Sequence, residues 1–240
     1  MAPFAVALLA AAGIGGFWAW TPDIPRATLE ARYAAPQDFL TIDGMRLHVR
    51  DSGPKDAPAV VLLHGWEGSV QSSYIMVSAG RLLAAGFDVF RLHFRDHGDT
   101  HHLNEGLFHS CRIDEVVGAV KAVAKMFAEQ ALIVGGYSLG GNFALRVALR
   151  AREAGVDLAW VFAVCPPVSP IAAMHAIEAA PAIYERYFLR KWRSSLQRKQ
   201  ALFPQADLFA RTELRSSLRE LEAALVDADD GAQRLIEVVE

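Results

Sequence analysis

The chain has 240 residues, of which 52% are hydrophobic and 21% charged, and its formal net charge is −3. This composition allows one large domain with a sizeable core and excludes global disorder, and the near-balanced charge gives no electrostatic reason to expect a nucleic acid partner. The two cysteines, Cys111 and Cys165, match no metal-binding or redox spacing. We therefore expect both to pack as small apolar side chains.

The first 20 residues differ from the rest of the chain. Residues 2–20 contain no charged side chain and end in a group of aromatic residues. An uncharged apolar run of about 18 residues can cross a bilayer as a helix, and tryptophan favours the interface. We predict a membrane anchor over residues 1–20, with a cleaved signal peptide or a peripheral extension as alternatives. Arg26 and Arg32 follow the run, which favours a cytoplasmic position for the folded part.

Residues 21–37 are predicted to be a proline-containing linker, and regular secondary structure begins after them. Two short strands are predicted at 38–43 and 45–51, because the Asp43-Gly44 dipeptide between them is typical of a hairpin turn. The next elements follow from hydrophobic periodicity and turn residues. In chain order they are a strand at 59–63, a helix at 71–85, a strand at 87–94, a helix at 113–128, a strand at 131–136, a helix at 142–154, a buried strand at 158–164, and helical sequence at 171–200, 206–226 and 231–240.

Strands and helices therefore alternate after an opening hairpin. This order predicts an α/β fold with a mostly parallel, doubly wound sheet over residues 38–168, followed by a helical region over residues 169–240. Ligands bind at the carboxyl ends of the strands in such sheets. The loops that follow the parallel strands are thus expected to share one rim and to carry the functional residues.

The segment Gly136-Tyr137-Ser138-Leu139-Gly140 has the G-x-S-x-G pattern of a nucleophile elbow. Ser138 follows a predicted strand and precedes a predicted helix, where a sharp turn can present its hydroxyl. The backbone amide of Leu139, at the start of the helix, can point at a developing oxyanion. We predict that Ser138 is a catalytic nucleophile. The alternative is a glycine-rich turn with an incidental serine.

A second glycine-containing loop, His64-Gly65-Trp66-Glu67-Gly68, comes directly after the first buried strand. Glycine allows the backbone to approach a ligand, and the Trp66 amide is predicted to be the second oxyanion donor. His64 is expected to brace this loop rather than to act as a base. A plain turn at the end of a strand is the alternative.

A group of histidines follows the next strand, with His97 and His109 at its two ends. We expect these residues to support the loop or to line the substrate site, and His97, His109 and Tyr137 are the candidate substrate-binding residues. A metal site is an alternative, although the spacing matches no ordered metal motif. An unusual catalytic base at His97 or His109 is another. We predict no metal and no cofactor.

Residues 191–219 carry many lysine and arginine side chains. A solvated helix face explains such a run most simply. The alternative is a basic surface beside anionic lipid, which the predicted anchor would bring close to a membrane.

Taken together, these segments resemble the α/β-hydrolase superfamily, and residues 62–204 are similar to its YheT-like branch. The matching segments are residues 64–69, 93–98, 108–111 and 136–143. Residues 184–192 resemble the start of the cap region of that branch. The resemblance implies an α/β-hydrolase fold with a helical cap.

The resemblance also implies a Ser–Asp–His triad, in that chain order, and carboxylic ester hydrolysis through an acyl-enzyme. Ser138 matches the nucleophile, and Trp66 and Leu139 match the oxyanion positions. The family's Asp and His follow later strands beyond the cap, and nothing after Pro167 matches them. We therefore expect a truncated product, an incomplete gene model or a deliberate fragment that lacks the C-terminal strands, part of the cap and two triad members.

The sequence thus predicts a serine hydrolase that acts on a small-molecule or lipid ester and contacts a membrane through its N-terminal segment. A serine without its histidine base is a weak nucleophile at neutral pH. The alternative function is therefore a catalytically inert, membrane-anchored binding or scaffold domain. No nucleic acid partner is expected.

Overall fold

The structure, a computed structural model, describes residues 39–206 except residues 43, 55 and 128. The predicted anchor and linker, and the helical predictions beyond residue 206, lie outside the described residues. Among the helices of the described ranges, none combines the length and the apolar character that crossing a bilayer requires.

The described chain contains six strands, five α-helices and a short 3₁₀ turn. The strands are β1 (Phe39–Ile42), β2 (Met45–Ser52), β3 (Ala59–Leu63), β4 (Asp88–Leu92), β5 (Leu132–Tyr137) and β6 (Trp160–Val164). The helices are α1 (Ser73–Ala84), α2 (Ile113–Met126), α3 (Leu139–Ala151), α4 (Pro170–Ala179) and α5 (Ala182–Leu202), and the 3₁₀ turn is Pro204–Ala206.

The strands form one sheet in the order β1-β2-β4-β3-β5-β6. Strands β3 to β6 run parallel, whereas β1 and β2 pair in the antiparallel sense. The hairpin turn closes between Ile42 and Met45, with Gly44 at φ +80°, a conformation that glycine adopts at low cost. The predicted mostly parallel sheet with an N-terminal hairpin is confirmed.

The central strand β3 explains why helices cover both faces of the sheet. All five of its residues are buried. Alternate side chains of a strand point to opposite faces of the sheet, so full burial requires that both faces are covered. Val61 and Leu63 pack in a cluster with α2 and α3, whereas Val60 and Leu62 pack with Ile75 of α1. Full burial of each such side chain contributes about 1.5–3 kcal/mol. This two-sided core holds β3 and β5, which carry the candidate site.

The prediction that β6 is buried was wrong. Trp160 is 74% exposed and Val164 41% exposed, and no residue of β6 is fully buried. Within the described ranges β6 pairs with β5 alone, so it is an edge strand. Its apolar composition suits a central parallel strand, but burial depends on neighbours that local sequence does not show.

The helical region after β6 begins with two helices rather than one. Helix α4 ends at Ala179, and Pro181 stands immediately before α5. Ala180 has an extended backbone, because proline disfavours the helical conformation in the residue before it. Helix α5 packs on the loop after β3, where Trp192 and Leu196 form an apolar cluster with Trp66.

Candidate active site

The carboxyl ends of the four parallel strands form one edge of the sheet, here called the rim. In the part of the chain that the structure describes, four residues other than glycine have a positive φ, namely Glu67, Asp96, Ser138 and Cys165. Each of them follows a different parallel strand. Such backbone conformations cost about 1–3 kcal/mol each and cluster at functional sites. The rim is therefore the candidate functional region of the sheet.

Ser138 forms the turn between β5 and α3. Its φ of 51° and ψ of −120° reverse the chain sharply, and its side chain lies at the surface. Its amide donates a hydrogen bond to the carbonyl of Val164 at 2.8 Å, and its carbonyl accepts one from the amide of Asn142 at 3.0 Å. The strained turn is thus anchored both to β6 and to the first turn of α3.

Two glycines make this turn sterically possible. A Cβ atom on Gly136 would overlap the backbone of Gly140, and one on Gly140 would overlap the carbonyls of Leu63 and His64. Strand β5, helix α3 and the end of β3 therefore meet with no room for a side chain. Helix α3 begins at Leu139, three residues before the predicted start, because the elbow leads straight into the helix.

The loop of residues 64–68, here called the glycine loop, lies beside Ser138. A Cβ on Gly65 would be 3.4 Å from the Cβ of Ser138. The loop contains a tight turn, in which the amide of Gly68 donates to the carbonyl of Gly65 at 3.0 Å. Glu67 has φ 53° at the third position of that turn, where glycine is the usual residue. The two loops that carry the predicted oxyanion donors are thus neighbours.

The hydrogen bonds of His64 fix its protonation state. Its Nε2 accepts a hydrogen bond from the amide of Phe94 at 3.2 Å, so Nδ1 carries the proton and donates to the carbonyl of Gly65 at 2.8 Å. Burial, with a smaller effect from His97, lowers the pKa of His64 to about 3. His64 is therefore neutral, and it braces the glycine loop as its sequence position predicts.

His97, predicted to bind substrate, is 3% exposed. Its Nδ1 donates to the carbonyl of Arg95 at 2.7 Å, and its ring meets that of Phe108 edge to face, with the centroids 4.7 Å apart. Its Nε2 has no hydrogen-bond partner among the described residues. Burial is the main cause that lowers the pKa of His97 to about 4.

The two other predicted substrate-binding residues lie in different surroundings. His109 is 6% exposed, in the loop before α2. Tyr137 ends β5 and is half-buried, with its hydroxyl 2.5 Å from the Oγ of Ser78. The assignment of His97, His109 and Tyr137 to substrate binding remains a prediction.

Glu67 is the acidic residue of the glycine loop. Burial raises the pKa of its carboxyl group to about 7, and the positive charges of Lys191 and Arg198 on α5 oppose that change. The carbonyl of Glu67 accepts a hydrogen bond from the Nζ of Lys191 at 3.3 Å. Helix α5 thus brings basic side chains to the loop.

A buried ion pair that sequence reasoning missed joins α5 to the loop after β4. The Nζ of Lys199 lies 2.7 Å from Oδ1 of Asp96, and the Lys199 side chain is fully buried. Lys199 also donates to the carbonyls of His101 and Asn104. Burial raises the pKa of Asp96 and lowers that of Lys199, and their attraction opposes both changes. Lys199 is thus not part of the solvated helix face expected for residues 191–219.

The expectation that both cysteines pack as apolar side chains was wrong for Cys165. It is exposed, directly after β6 and next to the Val164 carbonyl that holds Ser138. Its φ of 49° turns the chain away from the sheet at the rim. Within the described residues, no three histidine, cysteine or acidic side chains are grouped so that they could hold a metal ion.

The comparisons with known proteins agree with this geometry. The family described as alpha/beta hydrolase fold matches residues 58–219, more than half of the chain. YheT of Escherichia coli, whose name assigns it provisionally to the esterases, is 26% identical over 148 residues, which are 61% of this chain and 43% of that protein. The proline iminopeptidase PfmaB of Pestalotiopsis fici is 30% identical over 118 residues, or 47% of this chain and 39% of that protein.

Among solved structures, Est1E from Butyrivibrio proteoclasticus with ferulic acid bound has a TM-score of 0.48 and 17% identity, and the match covers 57% of this chain and 56% of that one. The chain spans less than half the length of the two curated relatives. The predicted similarity to the YheT-like branch is confirmed at the level of the sequence match. The family match, together with the parallel sheet and the serine elbow, shows that the chain belongs to the α/β-hydrolase fold family.

Proposed function

We propose that this chain carries the nucleophile and the oxyanion donors of a carboxylic ester hydrolase site, and that the nucleophile is Ser138. The observation that supports it best is the backbone of Ser138, whose φ of 51° presents an exposed hydroxyl between β5 and α3. A strained, exposed serine at this junction is the arrangement that acyl transfer in this fold requires. The word esterase in the name of the relative YheT agrees with the proposal.

In the proposed reaction, the Oγ of Ser138 attacks the acyl carbon of the ester, and the hydroxyl proton passes to a base. The amides of Leu139 and Trp66 stabilise the negative oxygen of the tetrahedral intermediate. Leu139 is the first residue of α3, so its amide is among those that a helix leaves without an internal partner. The alcohol leaves with a proton, and water then releases the acid from Ser138.

The described residues do not place a histidine base at Ser138. All eight histidines of the chain lie within the described residues. Across those residues, no hydrogen bond joins the hydroxyl of Ser138 to a histidine, and His64 uses both of its ring nitrogens elsewhere. Because a serine without a positioned base reacts slowly, we expect labelling and turnover far below those of a complete triad.

A fluorophosphonate probe tests the nucleophile directly. We expect slow covalent labelling of the purified chain, located at Ser138 by mass spectrometry of the peptide, and none at that peptide in Ser138→Ala. Imidazole added to the buffer should accelerate the labelling, since a diffusible base can replace one that is not positioned. Equal labelling of both proteins, or none even at long times, would refute the proposal.

The absence of a bonded histidine at Ser138, among the described residues, favours one competing function. In that case the fold is kept as a catalytically inert binding or scaffold domain, and imidazole has no effect on Ser138. Complete absence of labelling, with the protein folded by circular dichroism, supports this alternative.

The substrate class and the location are also proposals. We propose a small-molecule or lipid ester, with the helices from residue 169 onward forming a cap beside the site. Trp66 stacks on Phe188 of α5 with the centroids 5.1 Å apart, which places aromatic surface on the glycine loop and suits an apolar acyl chain.

Attachment to a membrane through residues 1–20, with the folded part in the cytoplasm, is tested by fractionation of cells that express the chain with and without that segment.

A further inference from the structure

The hydroxyl of Tyr74 is bonded to the glycine loop. Tyr74 is the second residue of α1, and its hydroxyl oxygen accepts a hydrogen bond from the amide of Gly65 at 2.9 Å. A Cβ on Gly68 would come within 2.8 Å of the same oxygen. The loop is thus closely fitted around this one hydroxyl group.

The ring of Tyr74 contacts the other half of the site. It lies against the ring of Tyr137, the residue before Ser138, with the centroids 5.0 Å apart and the planes at 50°. A single side chain therefore touches both the strand that presents Ser138 and the loop that contains the Trp66 amide. Helix α1 contains none of the predicted site residues, and this tyrosine connects it to both loops of the site.

The bonds of Gly65 control where the Trp66 amide points. A trans peptide holds the carbonyl of one residue and the amide of the next in one plane, pointing in opposite directions. The carbonyl of Gly65 accepts from the amide of Gly68 and from His64, and this fixes the direction of the Trp66 N–H. The amide of Gly65 belongs to the preceding peptide, and Tyr74 holds that one.

We infer that Tyr74 is a positioning residue of the reaction, which sets the distance between the Trp66 amide and Ser138. The inference rests on the proposed function, because it gives Tyr74 a role in stabilising an oxyanion formed at Ser138. Tyr74 touches no reacting atom in this scheme. It acts through Gly65, whose Cβ position lies 3.3 Å from the Tyr74 oxygen and 3.4 Å from the Cβ of Ser138.

The variant Tyr74→Phe removes only the hydroxyl and keeps the ring on Tyr137. We expect the maximal rate of fluorophosphonate labelling at Ser138 to fall about 10- to 100-fold, because a misplacement of roughly 1 Å costs on the order of 100-fold in rate. The probe concentration at half-maximal rate should change little, since the lost interaction acts on the transition state. A purely structural role would not separate these two constants.

Ser78→Ala is the matched control. It removes a hydroxyl from the same helix, one turn later, where Ser78 contacts the carbonyl of Tyr74 and the hydroxyl of Tyr137 but not the glycine loop. It should label at the rate of the unmodified chain. If Tyr74→Phe labels as fast as Ser78→Ala, the inference is wrong.

Hydrogen exchange of the Gly65 amide, measured by NMR, tests the structural step without any reaction. We expect exchange at least about tenfold faster in Tyr74→Phe and unchanged in Ser78→Ala, since opening of the loop would no longer break a hydrogen bond. Unchanged exchange in Tyr74→Phe overturns the inference. If Ser138 of the unmodified chain never labels while the exchange does respond, the proposed function fails and the role of Tyr74 in holding the loop stands.

Discussion

Ser138 has a backbone conformation that glycine adopts at lower cost than any other residue. Its φ of 51° and ψ of −120° are the mirror image of an extended conformation. We expect Ser138→Gly to have a free energy of unfolding about 1 kcal/mol higher than that of Ser138→Ala, because alanine keeps the strain of about 1–3 kcal/mol that glycine relieves in part. Urea unfolding of both variants measures the difference.

The same pair of substitutions at Ser78 provides the control for this prediction. Ser78 lies inside α1, where glycine is less stable than alanine by about 0.5–1 kcal/mol. The order of stability should therefore be reversed there. An alanine variant at Ser138 that matched or exceeded the glycine variant would show that the turn carries no strain.

For individual residues, the sequence predicts those roles that depend on the local backbone conformation. The elbow at Ser138 and the bracing role of His64 follow from glycine spacing beside a strand. Tyr74 could not be predicted, because its partner is one backbone amide nine positions earlier whose location depends on how α1 meets the sheet. Cys165 was predicted wrongly, because its exposure depends on β6 being an edge strand.

Helix α5 is fixed to the rim by charge as well as by apolar packing. The buried side chains of Lys199 and Asp96 are each other's main charged partner. Ser195 adds a hydrogen bond to the carbonyl of Asp96. We expect Asp96→Asn or Lys199→Met to lower the free energy of unfolding by about 3–5 kcal/mol, because each leaves one buried charge without compensation. Urea unfolding measures this loss, and limited trypsin digestion reports whether α5 is released.

The double variant and a surface variant complete that experiment. Asp96→Asn with Lys199→Met should lose less stability than the sum of the two single variants, because neither charge remains. Arg186→Met, at an exposed position of α5, should change stability by less than about 0.5 kcal/mol. Additive losses in the double variant would mean that the two side chains do not act as a pair.

The elements themselves follow closely from the sequence pattern. Strand β3 occupies the predicted residues, since a short apolar run bounded by turn residues has few alternatives. The opening hairpin was predicted by its Asp-Gly turn. The contact between α5 and Asp96 was not predicted, because 103 positions separate Lys199 from its partner and helical periodicity does not reveal such pairs.

Buried histidines make the stability of the whole molecule depend on pH. Burial is the main cause that lowers the pKa of His48 and His97 to about 4 and that of His64 to about 3. His48 and His93 share a buried hydrogen bond between their Nδ1 atoms at 2.8 Å. In the folded protein these rings therefore stay neutral well below neutral pH.

The unfolded chain binds protons at these histidines near pH 6.5, whereas the folded chain does so only near pH 3 to 4. The histidine contribution to stability should thus be complete above about pH 6.5 and fall towards pH 4, by about 1.4 kcal/mol per pH unit for each such histidine. The raised pKa of Glu67 has the opposite effect below about pH 7 and offsets the slope of about one histidine. Urea midpoints between pH 8 and pH 5 measure this slope. His175→Gln, at an exposed position, should leave the slope unchanged, and a flat profile would contradict the assignment.

The contact between Trp66 and Trp192 provides an intrinsic circular dichroism signal. The two indoles meet edge to face with their centroids 5.1 Å apart, one on the glycine loop and the other on α5. Fixed aromatic pairs produce near-ultraviolet circular dichroism, which is lost when packing loosens. A ligand that moves α5 away from the rim would change that spectrum without any attached label, and Trp66→Phe would identify which bands belong to the pair.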